Sequence, residues 1–207
     1  MNSSLRGAVR QYWVALRALL IFTVAVGIIY PLVITGVGQL AIPAQSNGST
    51  VSYQGKVVGS SLIGQSFSTA KGVPLPQWFQ PRPSAAGTGY DGGASSASNL
   101  GPNNPALTKA IEQRKAVIEK LDGVTASQIP PDALTASGSG LDPHISPAYA
   151  LIQVNAVARA RGLSPVTVHK LVESKIQGRD LGYLGNETVN VLQLNIALAQ
   201  LDPSGNK

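Results

Sequence analysis

The longest apolar run of the chain lies close to its N-terminus. No Asp, Glu, Lys or Arg occurs from Ala18 to Gly55, and the 23 residues from Ala18 to Leu40 are mostly apolar. About 20 apolar residues, rising ~1.5 Å each, cross the ~30 Å hydrocarbon core of a bilayer. We therefore predict a transmembrane helix over residues 12–40. Pro31 lies inside this helix and removes one backbone hydrogen bond, a loss that membrane helices tolerate when neighbouring groups replace it.

The charges around this run predict its orientation. Arg6, Arg10 and Arg17 precede it, and no acidic residue occurs before Asp91. By the positive-inside rule, residues 1–11 form a short basic cytoplasmic N-terminus and the chain after the span is extracytoplasmic. A cleaved signal peptide is the alternative, but its apolar core is about 7–15 residues long and ends in an A-x-A-like site. The longer run here, with no good site near Ala41 or Ala44, favours an uncleaved anchor.

The remainder of the chain alternates between short periodic segments and loops. Residues 41–49 read as a polar linker, and residues 50–207 as one extracytoplasmic domain. Thr50–Tyr53 and Lys56–Val58, separated by Gln54 and Gly55, predict a β-hairpin. Residues 59–104 are rich in Gly, Pro, Ser and Asn, so little regular structure is expected there.

Three helix starts share one design, in which a capping side chain precedes a proline at the first helical position. They are Asn104-Pro105, Ser146-Pro147 and Ser164-Pro165, and they predict helices over 105–121, 147–161 and 165–177 that end at Gly123, Gly162 and Gly178. A fourth helix, over 187–201, is apolar on much of its circumference, which predicts burial. The expected fold class is α+β: one N-terminal transmembrane helix, then a single small domain that is helix-rich in its second half.

Composition and charge exclude several function classes. The chain has no cysteine, so it has no disulfide, thiolate metal site or cysteine nucleophile. Its formal net charge is +6, but the basic residues do not cluster, and we expect no nucleic-acid partner. The two histidines, His144 and His169, have no partners at metal-ligand spacing, so we expect no bound metal.

Sequence patterns typical of catalysis are incomplete here. Residues 87–92 match GxGxxG without the flanking strand and helix of a dinucleotide site. Ser68 and Lys71 match S-x-x-K without the companion S-D-N and K-T-G elements. A triad of Ser137 or Ser139 with His144 and Asp142 would join close sequence neighbours, which triads rarely do. We therefore expect no catalytic or cofactor-binding residue.

Several segments, in one order along nearly the whole chain, carry a family resemblance. They are Tyr30-Pro31-Leu32 in the span, and then residues 59–67 (GSSLIGQSF), 78–85 (WFQPRPSA), 98–105 (SNLGPNNP), 134–147 (LTASGSGLDPHISP), 158–163 (ARARGL) and 189–195 (VNVLQLN). Together they resemble the C subunit of the bacterial Kdp-type high-affinity potassium-transporting P-type ATPase. The chain departs from the family pattern at Trp78 and at Asn155-Ala156.

The resemblance implies a non-catalytic accessory subunit in the bacterial inner membrane. It would stabilise assembly of a KdpA-like potassium-translocating subunit with a KdpB-like P-type ATPase subunit, with a small KdpF-like peptide as a further partner, and would support ATP-coupled K⁺ import. The complex would handle ATP, Mg²⁺ and K⁺, and we expect none to bind this chain directly. The positive-inside rule places residues 135–140 away from cytoplasmic ATP, and the chain has no carboxylate cluster for K⁺. The alternatives are a membrane-anchored extracytoplasmic solute-binding module and an anchored enzyme that uses Ser68 or a Ser/His pair.

The candidate interface or family-motif residues lie within these segments and the span. They are Tyr30, Pro31, Gly36, Gly38, Gln65, Phe67, Phe79, Arg82, Ser84, Asn99, Asn103, Ser137, Ser139, Asp142, His144, Gln153, Arg159, Arg161, Asn190 and Asn195. In physical terms, glycines in the span let another helix approach. Arg82, between two prolines, suits a bidentate carboxylate contact, and Asn99 and Asn103 suit turns closed by their side chains. The alternative is that all of them only shape the domain.

Overall fold

The computed structural model describes residues 3–206, with side chains described from Gly7 to Asn206. Residues 1, 2 and 207, together with the side chain of Arg6, lie outside the described residues, although the predicted N-terminus and outer domain include them. Contacts divide the chain into two compact units, with the boundary between Ser49 and Thr50.

The first unit is a long apolar helix. It consists of α1 (Ser3–Val24), a π-helical turn (Ala25–Ile29) and α2 (Tyr30–Ala41). Within it, Gly7–Ala41 is long and apolar enough to cross a membrane, and none of its most apolar window is buried. One more helical turn, α3 (Pro43–Ser46), occupies the segment predicted to be a linker. Among residues 3–206, this is the one helix whose length and composition would let it cross a membrane, as predicted.

The π-helical turn follows from Pro31. The N–H of Tyr30 donates to the carbonyl of Ala25, five residues back, instead of to Val26. The next residue, Pro31, has no N–H to donate. The carbonyl of Val26 thus lacks both its α-helical donor and its π-helical donor, while the α-helical bond that Pro31 itself removes is the one to Gly27, four residues earlier.

The second unit begins with the predicted hairpin. Strands β1 (Thr50–Tyr53) and β2 (Lys56–Ser60) pair antiparallel around Gln54 and Gly55, so the hairpin is confirmed, with β2 two residues longer than predicted. Residues 61–104 contain no helix or strand beyond an isolated bridge between Ser68 and Pro74, as expected from their composition.

Two of the three predicted helix caps form. Helix α4 (Pro105–Asp122) begins where the side chain of Asn104 accepts from the N–H of Ala106, and it ends at Gly123 with φ 72°. The side chain of Ser146 caps α6 (Pro147–Ile152) in the same way, through the N–H of Tyr149. A short helix that was not predicted, α5 (Pro131–Leu134), lies between them.

The predicted helix over 147–161 is interrupted at Gln153. Helix α6 ends there, and α7 (Val154–Arg161) continues to Gly162, whose φ is 66°. The side-chain amide of Gln153 donates to the carbonyl of Tyr149, while its backbone N–H turns to Ala150. Because that side chain takes the carbonyl that the backbone N–H would use, the backbone hydrogen bond changes from the i→i−4 to the i→i−3 pattern, and the helix is interrupted.

The ends of the last two predicted helices were wrong. Helix α8 (Pro165–Ser174) stops before Lys175 rather than at Gly178, and Ser164 makes no side-chain cap. Helix α9 (Val191–Leu201) starts at residue 191 rather than 187, capped by Asn190. Both corrections have one cause, because the residues in question form short strands.

These strands build a small antiparallel sheet that was not predicted. Strands β3 (His144–Ile145), β4 (Ile176–Gln177) and β5 (Thr188–Asn190) lie in the order β3-β5-β4. With the hairpin and the helices, this sheet confirms the α+β class.

The core of the second unit forms where helices α6–α9 meet the small sheet. Fully buried side chains include Val168, Val172, Val189, Leu194 and Leu198. Phe79 joins the same cluster and is also fully buried, although it comes from the irregular segment. That segment therefore supplies part of the core and does not simply cover it.

Asp122, the last residue of α4, carries a pH-dependent share of stability. The residue is 5% exposed, and its side chain makes no hydrogen bond or ion pair with any described residue. Burial raises the pKa of its carboxyl group to about 7. The folded chain then holds a proton that the unfolded chain releases near pH 4. The free energy of unfolding should therefore fall by about 1 kcal/mol per pH unit between roughly pH 4 and pH 7 through this group.

Asp122→Asn should remove this fall, so that the variant gains stability over the parent chain as pH rises. Urea unfolding of the purified chain in mild detergent at pH 5, 6, 7 and 8 measures it, with Asp180→Asn as the exposed control. A stability difference between Asp122→Asn and the parent that does not change with pH would contradict the assignment.

Candidate functional site

An ion pair joins two of the family-motif segments. Nη1 of Arg82 donates to Oδ2 of Asp142 at 3.0 Å, and Nη2 donates to the carbonyl of Thr135 at 3.4 Å. The predicted bidentate contact is therefore wrong: one arm of the guanidinium meets the carboxylate, and the other meets the backbone. The ion pair fixes residues 82 and 142, which are 60 positions apart in the chain.

Asp142 is further held by His144. Its Oδ1 accepts from the backbone N–H of His144 at 2.9 Å and lies 3.5 Å from Nδ1 of the imidazole. Burial by itself would raise the pKa of Asp142, but the hydrogen bonds from His144 and then the charge of Arg82 outweigh burial and hold that pKa below its usual value. The group is therefore an ionised carboxylate at neutral pH.

The serines of the motif segments shape turns. Oγ of Ser84 donates to the carbonyl of Gly140 at 2.6 Å and accepts from the N–H of Tyr90 at 2.8 Å. Ser137 accepts from the N–H of Gly140, and Ser139 from that of Leu141. Neither of these two serines bonds to His144 among the described residues, so the imagined triad does not form.

Gly140 is required by this arrangement. Its φ is +69°, and a Cβ added there would lie 2.6 Å from the carbonyl oxygen of Ser96. Both the backbone conformation and the space exclude a larger residue.

Buried side-chain amides hold the irregular segment to the helices. Asn195 pairs with Phe79, accepting from its N–H and donating to its carbonyl, each at 2.9 Å. Gln153 pairs in the same way with the backbone of Gln80, at 2.6 and 3.2 Å. The amide of Gln80 itself donates to three carbonyls, those of Phe67, Leu75 and Trp78. We call Gln80, Gln153 and Asn195 the amide network.

Arg161 ties the C-terminal end to the same segment. Its Nε donates to the carbonyl of Gln77 at 2.7 Å, its Nη1 donates to the carbonyl of Asp202 at 3.0 Å, and its guanidinium lies 4.3 Å from the centre of the Trp78 ring. Burial lowers the pKa of this arginine, although Asp202 partly offsets that effect. The family departure at Trp78 thus supplies the face of a cation–π contact.

Three further motif residues join the hairpin region to the core. The side chain of Gln65 donates to the carbonyl of Val58 at 2.6 Å, and that of Asn190 donates to the carbonyl of Ser61 at 2.9 Å. The ring of Phe67 lies 6.0 Å from that of Trp78.

The remaining candidates are not brought into these clusters. Asn99, Asn103 and Arg159 are exposed, and their side chains make no hydrogen bond with the described residues, so turn closure by the first two was wrong. In the helical unit, the space beside Gly36 is open, whereas a Cβ on Gly38 would meet Oγ of Ser46 at 2.7 Å. Tyr30 and Pro31 hold the two positions from which an α-helical or a π-helical donor to the Val26 carbonyl would come.

A cleft of about 440 Å³ opens beside α4, lined in part by Arg82, Ser84 and Tyr90. Arg114 and Tyr149 also line it. Sequence reasoning missed these two residues, because neither belongs to a chemical motif and only the fold brings them to the motif segments. Among residues 7–206, no three His, Asp or Glu side chains lie close enough together to hold a metal ion.

Asn195→Leu should destabilise the second unit by about 2–4 kcal/mol, since it leaves the buried N–H and C=O of Phe79 without partners. Denaturant unfolding of the purified chain measures this change. Asn155→Leu, on the exposed face of α7, is the matched control and should change stability by about 0.5 kcal/mol or less. Equal effects of the two substitutions would contradict the role given to the amide network.

Comparisons with known proteins agree along nearly the whole chain. A family model described as KdpC, "K+-transporting ATPase, c chain", matches residues 12–200. A "Potassium-transporting ATPase KdpC subunit" from Kineococcus radiotolerans is 51% identical over 203 residues, covering 98% of this chain and 100% of the relative. Proteins of the same name from Mycobacterium bovis and Methylococcus capsulatus are each 49% identical, covering 93% and 90% of this chain and 99% and 96% of their own lengths.

Proposed function

This chain belongs to the KdpC family, the c chain of K⁺-transporting ATPases, and from that premise we propose that it is a single-pass accessory subunit of such a complex. It stabilises assembly of a KdpA-like translocating subunit with a KdpB-like P-type ATPase subunit, beside a small KdpF-like peptide. It thereby supports ATP-coupled K⁺ import. ATP, Mg²⁺ and K⁺ bind to the other subunits.

The carbonyl of Val26 is the observation that carries a docking role for the helix. It lies near the middle of the candidate span, where neither lipid nor water offers a hydrogen-bond donor. A Ser or Thr three or four residues later could bond back to it, but those positions hold Ile29 and Tyr30. A neighbouring helix with a side-chain N–H or O–H would supply the hydrogen-bond donor that this oxygen lacks.

The rest of the helix supports the same role. Its apolar side chains are exposed from Val9 to Ile42, and Gly36 leaves open space for a close approach. Arg10 and Arg17 precede the apolar centre and favour a cytoplasmic N-terminus, with the outer unit on the opposite side.

The state of the polar motif residues favours a non-catalytic subunit over an anchored enzyme. The hydroxyl oxygens of Ser137 and Ser139 accept hydrogen bonds from backbone N–H groups. The carboxylate of Asp142 accepts from the backbone N–H of His144 and from the guanidinium of Arg82. Ser68 makes no hydrogen bond to Lys71 or to a histidine among the described residues. A nucleophile needs a base within hydrogen-bond reach, and these serines have none.

Purification of the tagged chain in mild detergent from potassium-starved cells tests the proposal. The chain should be recovered with a P-type ATPase and a polytopic translocating subunit, and the preparation should hydrolyse ATP in response to K⁺. Recovery without these partners, while both are expressed and stable in the same cells, would refute an assembly role.

Pro31→Ala tests the docking role of the Val26 carbonyl, because a docking role predicts that the complex dissociates at a lower temperature although the helix itself becomes more stable. Alanine removes a proline from a helix interior, a change worth about 3 kcal/mol to an isolated helix, and lets the chain satisfy its own carbonyl. The complex should nevertheless dissociate at a temperature several degrees lower, because the partner's donor loses its acceptor. Pro43→Ala, at the first residue of α3, should leave that temperature unchanged.

A matched pair separates this loss from a change in helix shape. Tyr30→Thr and Tyr30→Val remove the same ring, but only threonine can bond back to Val26, four residues earlier. The Thr variant should therefore form the weaker complex. A Thr complex as stable as the Val complex, or a Pro31→Ala complex at least as stable as the parent, would rule out a partner donor at Val26.

A further inference from the structure

The cleft beside α4 is lined by both apolar and polar side chains. Val117, Ile118 and Leu121 from α4 with Ala133 from α5 form its apolar wall, and Arg114, also from α4, joins Arg82 and Tyr149 in supplying polar groups to the same lining. No Asp or Glu is among the residues that line it. At about 440 Å³, the cleft falls within the range of small-molecule sites, about 300–1,000 Å³.

Arg114 brings a positive charge to this cleft without a countercharge. Its Nη1 donates to the carbonyl of Leu134 at 2.6 Å, and it pairs with no carboxylate among the described residues. Burial lowers the pKa of this arginine, which shows that its charge is partly desolvated. Four of its five N–H donors are left for another partner.

Two more donors at the cleft are unused. Tyr149 is 4% exposed, yet its hydroxyl makes no hydrogen bond with any described residue. Burial, followed by the nearby charges of Asp122 and Asp132, raises the pKa of this phenol, so the hydroxyl keeps its proton and can donate it. Nε of Arg82 is buried and also lacks a partner. Buried polar groups in folded proteins are almost always paired, so Nε of Arg82 needs an acceptor, and the hydroxyl of Tyr149, which lines the cleft, is available to donate to one.

These observations describe the ligand. Within the part of the chain that the structure describes, the guanidinium of Arg114 has no carboxylate partner, the hydroxyl of Tyr149 is unused, and no Asp or Glu lines the cleft. Such a set of donors favours binding of an oxyanion. The charge of Arg82 is already balanced by Asp142, which leaves one net positive charge for the ligand to neutralise. The apolar wall requires an apolar body of a few carbon atoms. We propose that this cleft binds a small organic monoanion, with a carboxylate or phosphodiester head on Arg114 and Tyr149 and an apolar body against α4.

This proposal does not rest on the proposed role in potassium uptake, because the site uses no residue of the span and its test needs no partner subunit. A ligand here would bridge α4 and α6 through Arg114 and Tyr149, and would stabilise the outer unit in proportion to its concentration.

The test is a thermal unfolding titration of the purified full-length chain in mild detergent. The probes are hexanoate as the carboxylate, dibutyl phosphate as the phosphodiester, and 1-hexanol as the uncharged match. We expect a saturable rise in the melting temperature with at least one anion and none with hexanol. The anion that acts at the lower concentration identifies the head group.

Two variants locate the binding. Tyr149→Phe and Arg114→Gln should each weaken the apparent affinity about tenfold or more, because each removes a donor to an anion. Arg159→Gln, which removes an exposed arginine with no partner among the described residues, should leave the affinity unchanged. If Arg114→Gln fails to fold, Arg114→Lys keeps the charge and should retain partial affinity.

The proposal is overturned if neither anion acts beyond hexanol, or if both Tyr149→Phe and Arg114→Gln bind as the parent does. It is also overturned if the Arg159→Gln control loses as much affinity as they do, since the effect would then reflect general charge.

Discussion

The second unit of the chain depends on two side-chain amides that pair with backbone as a neighbouring strand would. Asn195 and Gln153 each accept from an N–H and donate to a C=O of consecutive residues, Phe79 and Gln80, in the middle of a segment without helix or strand. The four backbone groups would otherwise be buried without partners, which a folded protein does not tolerate. The amide network therefore allows Phe79 to enter the core and fixes the position of the backbone from which the residues after Gln80 continue.

The placement of the motif residues follows from that anchor. Arg82 and Ser84 come two and four residues after Gln80, and both reach the 135–142 loop, through Asp142 and Gly140. Arg161 holds the residues just before the anchor, through Gln77 and Trp78. Most of the chemistry-bearing side chains of the family segments are thus engaged in keeping a long irregular segment in one conformation. Such a segment presents a defined surface, which suits a subunit whose role is contact with other subunits.

Much of the fold could be predicted from local signals. The span, the hairpin turn at Gln54 and Gly55, the caps at Asn104 and Ser146 and the stops at Gly123 and Gly162 each depend on a few adjacent residues. The misses have a common origin: strands β3, β4 and β5 are two or three residues long, too short to show a period, and their pairing overrides the helical pattern near Gln177 and Thr188. The break at Gln153 comes from a side chain that bonds to residue 80, 73 positions earlier.

The candidate residues were found through the family resemblance, and their physical roles only through the fold. Asn195 meets Phe79 across 116 positions, a separation that no local pattern reveals. Arg114 and Tyr149 belong to unrelated helices and carry no motif, so their meeting at one cleft could not be predicted. A missing backbone hydrogen bond beside Pro31 could be predicted, because a proline has no N–H, but only the π-helical turn shows that the Val26 carbonyl is affected.

Amide hydrogen exchange of the second unit in the purified full-length chain tests the central claim most directly. If side-chain amides anchor the irregular segment, the N–H groups of Phe79 and Gln80 should exchange as slowly as those in the centre of α9. They should exchange about two orders of magnitude or more slowly than those of Ser98 and Asn99 in the same segment. Exchange of Phe79 and Gln80 at the rate of Ser98 and Asn99 would contradict the anchor.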